Sequence, residues 1–171
     1  MMKPWIAAFL IVLASPAVAQ RHQHGHSPYA GLERRDIKAL SEQQIAELRA
    51  GRGMGLALAA ELNGYPGPLH VLELADRLGL TVEQKQRVQL LYDAMKAEAI
   101  GVGEKLISSE QQLDQEFAAH KMTAARLISL MAQIGEQQGV LRAVHLKYHL
   151  TTAELLSPDQ RQYYIQLRGY R

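Results

Sequence analysis

The chain has 171 residues, with 19 Lys and Arg against 17 Asp and Glu for a formal net charge of +2. A balance this close gives no electrostatic basis for binding nucleic acid or an anionic membrane, so partners must be chosen by shape, apolar surface or metal. No cysteine is present, which excludes disulfides and the lipid attachment of a lipoprotein signal.

Met1 to Lys3 is a short positive start, Trp5 to Ala14 is unbroken and apolar, and Ala17-Val18-Ala19 supplies the small residues of a signal-peptidase site. Residues 1–19 therefore read as a secretory signal peptide cleaved after Ala19. The apolar run falls short of the ~20 residues that span a bilayer, so no stable membrane insertion is expected after cleavage. What remains has the length of one domain.

Residues 20–39 hold His22, His24, His26, Gly25, Pro28, Gly31 and the charged run Glu33-Arg34-Arg35-Asp36, with nothing at helical spacing. They read as a flexible tail, with the packed domain at 40–171. Alternating histidines on such a segment can wrap a borderline metal such as Cu(II), Ni(II) or Zn(II). Cleavage after Ala19 also leaves Gln20-Arg21-His22 at the terminus, where amine, two backbone nitrogens and imidazole make a square-planar set unless Gln20 cyclises.

One helix-start signal then appears three times: Leu40-Ser41-Glu42-Gln43-Gln44, Leu80-Thr81-Val82-Glu83-Gln84 and Leu156-Ser157-Pro158-Asp159-Gln160. In each, a serine or threonine caps free backbone N–H groups, the glutamine three residues on reaches back to the cap, and the leucine before it sits where a hydrophobic staple would. A helix after Ser41 runs on to Leu62 if it survives Gly51, Gly53 and Gly55, and Asn63-Gly64-Tyr65-Pro66-Gly67-Pro68 ends it. A short helix is predicted from Leu69 to Leu78.

The longest helix starts after Thr81 and extends to about His120, with an apolar seam at Val88, Leu91, Met95, Val102, Leu106, Leu113 and Phe117. Thr123 caps a second long helix with its seam at Leu127, Leu130, Met131, Ile134, Leu141, Val144, Tyr148 and Leu155. The two-residue link between them requires an antiparallel hairpin. A last helix covers Pro158 to about Leu167. The fold class is all-α, a long helical hairpin with shorter flanking helices. Its narrow apolar faces predict a shallow curved sheet of helices or a dimer.

Leu80-Thr81-x-x-Gln84 and Leu156-Ser157-x-x-Gln160, bracketing a long hairpin in an exported cysteine-free chain, resemble the Spy/CpxP family, often called the LTxxQ family, from about Leu69 to Leu167. The resemblance implies a dimeric helical cradle in the periplasm and a binding protein rather than an enzyme. It implies ATP-independent capture of unfolded envelope proteins, or docking as an adaptor on the periplasmic domain of a sensor kinase. Its metal-binding ZraP-like and CnrX-like relatives imply the alternative of a Zn, Ni, Co or Cu sensor or buffer. The helix before Leu69, its Tyr-Pro-Gly-Pro turn and the near-neutral charge depart from the Spy-like pattern.

His145 and His149, four apart on one helix, project from one face and are candidates to share a metal ion. In the CnrX-like sensors a histidine and a methionine at this spacing ligate metal, His149 standing where that methionine would. His70 lies where those sensors carry other ligands, with Glu73 as an oxygen donor beside it. Against this stands the plain reading that His145 flanks the core and His149 faces solvent. Gly51-Arg52-Gly53-Met54-Gly55 is no phosphate loop, since no strand precedes it and no Lys-Ser or Lys-Thr follows. Met54, Leu56 and Leu58 are candidates for packing or client contact. No serine, histidine and acid set converges on loops, and no paired carboxylates sit in an apolar setting.

Overall fold

The computed structural model describes residues 27–170. The signal peptide, Gln20 and the tail histidines His22, His24 and His26 lie outside them. Every described secondary-structure element is helical. A single 3-10 turn at Leu32–Arg34 precedes α1 (Glu42–Arg49), α2 (Leu58–Glu61), α3 (Pro68–Glu73), α4 (Val82–Ala118), α5 (Ala124–Leu155) and α6 (Pro158–Arg168). None is long and apolar enough to cross a membrane.

The three capping boxes form as the motif requires. The side chains of Ser41, Thr81 and Ser157 accept from the N–H groups of Gln44, Gln84 and Gln160, and those glutamines accept from the cap N–H groups. Thr123 caps α5 through the Arg126 N–H. Helix ends are equally regular. Beyond α1 and α4 the chain turns through a left-handed residue, Gly51 at φ 65° and His120 at φ 55°, and an N–H bonds back five residues, Arg52 to Glu47 and Lys121 to Glu116.

The helix from Ser41 does not survive its glycines. It stops at Arg49, because three glycines in five residues each cost roughly 1 kcal/mol in a helix, and Gly51 must let the chain pass close to α4. A Cβ on Gly51 would lie 2.8 Å from the Lys96 carbonyl oxygen. The chain re-forms one helical turn as α2 and enters the Tyr65-Pro66-Gly67-Pro68 corner. The helix predicted from Leu69 to Leu78 spans only Pro68–Glu73, followed by turns up to Gly79.

α4 and α5 pack antiparallel along their length, with α1 on α4 and α3 against both at the open end. One core joins Leu48 of α1 to Met95, Ala99, Leu106 and Ile107 of α4 and to Ile134, Leu141, Val144 and Tyr148 of α5. A second, at the open end, gathers Val71, Leu78, Leu80, Val88, Leu156 and Tyr164. Order begins before Leu40. Ile37 is 4% exposed in the first core and Lys38 Nζ meets Asp114 Oδ2 at 3.0 Å. A lone isoleucine among polar residues has no periodicity to announce this burial, which depends wholly on contact with distant helices.

Two seam positions are exposed: Phe117 by 53% and Met131 by 48%. Both sit toward the closed end of the hairpin, which α3 and α6 do not reach, so only one stripe per helix is covered. The Arg126 to Glu116 ion pair, 2.7 Å, crosses between the helices there.

The two family-like motifs also meet each other. Gln84 Nε2 donates to Gln160 Oε1 at 3.0 Å and to the Leu155 carbonyl at 2.9 Å, while Gln160 Nε2 reaches Gln84 Oε1 at 3.2 Å. Each amide thus caps its own helix and closes the open end of the hairpin.

Candidate functional site

α2 ends on Glu61 and Asn63-Gly64 turns the chain into Tyr65-Pro66-Gly67-Pro68. Pro66 and Pro68 are among the most deeply buried side chains, so the corner is pinned on both sides of Gly67. Gly67 itself lies against α5, where a Cβ would stand 2.7 Å from His149 Nε2. Only glycine permits that approach.

Glu61, 6% exposed, is the hub beneath this corner. Its Oε1 accepts from the Tyr164 hydroxyl at 2.5 Å and the Tyr170 hydroxyl at 3.0 Å, and its Oε2 accepts from the Gly67 N–H at 3.2 Å. Arg168 Nε and His149 Nδ1 each stand 3.6 Å from one of its oxygens. A buried carboxylate survives only with such company. Burial first, then the bond to Glu61, pushes the Tyr164 phenol far above its usual range, so it remains a donor at any working pH. Tyr164 is fully buried. The cluster thereby ties α6 and the chain end to the α2–α3 corner.

His149 is 8% and His145 2% exposed. A solvent-facing His149 is therefore overturned: the Tyr-Pro-Gly-Pro corner folds across it. Its Nδ1 lies 2.7 Å from the Tyr65 carbonyl oxygen, which can only accept, so the proton belongs on Nδ1 and the Nε2 lone pair is left without a protein partner. His145 Nε2 is buried with no hydrogen bond. Burial, then the neighbouring His149, holds the His145 imidazole below the usual histidine range. His70, half-buried on α3, has its Nδ1 2.8 Å from Glu73 Oε2. Glu73 therefore orients His70 and is not free beside it. Among the described residues no three His, Asp or Glu come together as a metal-binding group.

Glu61, His149 and His70 border a cavity of about 610 Å³. Its lining includes the polar side chains of His70, His149, Glu61, Arg168 and Tyr170, the apolar ones of Met54, Leu58, Leu69 and Met95, and Arg52 and Lys96 from the glycine-rich loop and α4. Around it, Met54, Leu58, Leu62, Tyr65 and Leu69 are exposed, Leu58 and Leu62 by 55% each. Leu56, by contrast, is half-buried against the first core. The sequence singled out Met54, Leu58, His70 and His149 but not Glu61, Tyr65 or Arg168. Glu61 carries no local mark, since an acid late in a helix usually faces water, and only the tyrosines that converge on it from over a hundred residues away distinguish it.

Compared with protein-family models, curated proteins and solved structures, the chain matches none of them.

Proposed function

We propose that the protein is a Spy/CpxP-like helical binding protein of the periplasm that holds unfolded envelope proteins without ATP. The observation that carries this reading is the group of exposed apolar side chains Met54, Leu58, Leu62, Tyr65 and Leu69 on the rigid α2–α3 corner. Isolated surface leucines need no explanation, but five large apolar residues within sixteen positions, three of them lining one cavity, make a patch suited to covering a client's apolar segment. Methionine adds a side chain that adapts to varied partners. The corner is held by Glu61 and the two prolines, so it stays exposed instead of collapsing onto the core.

The test is light scattering of a thermally unfolding model client at equimolar protein. The parent suppresses aggregation, and a Leu58→Asp, Leu62→Asp double variant does not. A parent with no effect, or a double variant that works as well, defeats the reading. Both leucines are exposed, so loss of folding is not the expected cause of failure.

A second reading, metal buffering, draws on the lone-pair nitrogen of His149 and on His70, whose Nδ1 is engaged by Glu73 in the manner that orients metal-ligating imidazoles. Two imidazoles bordering one cavity are short of the three protein ligands of a tight zinc site. Calorimetric titration with zinc, nickel and copper, repeated on a His70→Ala, His149→Ala variant, decides it. Equal heats in both remove this site.

A further inference from the structure

We propose that the cavity beneath the corner binds an apolar chain ending in a carboxylate, with Arg52 and Lys96 taking the anionic end and Met54, Leu58, Leu69 and Met95 the hydrocarbon. Its volume, about 610 Å³, lies inside the ~300–1,000 Å³ of small-molecule sites.

The charges give the sign of the ligand. Arg52 and Lys96 form no ion pair among the described residues. Both line the same cavity. Two like charges on one lining repel, and an anion held by both relieves the repulsion. Neither carboxylate on the lining does so. Glu61 is turned to Tyr164, Tyr170 and the Gly67 N–H, and Glu47 accepts from Gln43 at 3.1 Å. Arg168, the third lining cation, is spent on Glu61 at 3.6 Å.

The walls give the rest of the ligand. The apolar part of the lining is thioether, isobutyl and the Tyr92 ring, which offers an alkyl chain contact but few hydrogen bonds. A small inorganic anion would leave this surface uncovered, whereas an apolar chain with a terminal carboxylate uses both halves. Two sources carry that chemistry, a free fatty acid and the carboxy-terminal end of an apolar peptide. Met54, Leu58 and Leu69 belong also to the exposed patch of the client-capture reading, and what sets this inference apart is the anionic end that Arg52 and Lys96 would take.

The experiment is calorimetric titration of the mature protein with octanoate, octanol and octylammonium, and with an apolar tetrapeptide bearing a free or an amidated carboxy terminus. Octanoate is expected to bind about tenfold or more tightly than octanol, the difference of one charge-assisted contact, and octylammonium most weakly. An Arg52→Gln, Lys96→Gln variant, changed at two exposed side chains, is expected to lose that preference while retaining octanol binding. The free peptide exceeding its amide identifies a polypeptide end as a competent source, and octanoate binding without any peptide binding identifies the free acid. No acid preference in the parent, an unchanged preference in the double variant, or no binding of any probe overturns the proposal. Aggregation suppression run on the same samples separates the two readings, because a parent that protects clients yet ignores carboxylates fails only here.

Discussion

Replacing Glu61 by alanine would leave several donors facing an empty space. The Tyr164 hydroxyl and the Gly67 N–H are both buried and would lose their only acceptor. Each orphaned donor costs about 1–3 kcal/mol. Tyr170 and Arg168 are half-exposed and can turn to water, so they add little, and release from burying a carboxylate offsets part of the loss. The net expectation is about 3–4 kcal/mol, a large share of the ~5–15 kcal/mol that holds a domain of this size. Glu61→Gln keeps an acceptor and should cost about 1–2 kcal/mol, as should Tyr164→Phe. Urea unfolding followed by far-ultraviolet circular dichroism measures all three, and the Glu61→Ala, Tyr164→Phe pair completes a double-mutant cycle. Because both changes remove the same bond, the double variant should lose about 1–2 kcal/mol less than the sum. A Glu61→Ala protein within about 0.5 kcal/mol of the parent, or an additive cycle, would refute the hub.

Glycine position decides a second outcome. Gly103→Ala puts a methyl group 2.7 Å from the Leu48 carbonyl oxygen, backbone that cannot swing aside, and should destabilise by about 1–3 kcal/mol, whereas Gly101→Ala on the same helix meets open space and should stabilise by about 0.5–1 kcal/mol in thermal melts. Glu110 is buried, and burial raises its carboxyl above the usual 4.5, so the folded state holds that proton more tightly than the unfolded one. The associated stability is present below pH 4.5 and is lost as pH rises through the folded value. Glu110→Gln should therefore raise the unfolding free energy at pH 7 and give no gain at pH 4 or below, read by denaturant titration at both. Gln84→Ala and Gln160→Ala should each weaken a cap by about 1 kcal/mol and show coupling of about 0.5–1 kcal/mol when combined; additivity would mean that the amides do not act on one another.

The helices were legible because their signals are local. Ser41, Thr81 and Ser157 announce starts through side chains that reach only three residues, and the seam of α4 and α5 follows from periodicity alone. Where the reading went too far it met long-range geometry. Ile37 is buried by helices far along the chain, and Phe117 and Met131 are exposed because no neighbour reaches their end of the hairpin. The glycines at 51, 53 and 55 pose a choice between helix and turn that α4 settles through the Lys96 carbonyl. The site was legible only in part. His149 and His70 are chemically conspicuous wherever they stand, but Glu61 becomes a hub only through Tyr164, Tyr170 and Gly67, and the meeting of Arg52 and Lys96 on one cavity lining has no expression in sequence spacing.

The reciprocal amides of Gln84 and Gln160 also constrain how this chain can change its length. One stands at the first turn of α4, the other just past the end of α5, so the two arms of the hairpin form a closed loop whose ends must coincide. A residue added to one arm rotates everything beyond it by about 100° and advances it 1.5 Å, pulling one amide away from the other. Insertions are tolerable only in matched amounts on both arms, near whole heptads that restore both face and height. The hairpin therefore behaves as a ruler with a latch at its open end, free to grow by coordinated steps and resistant to any single one.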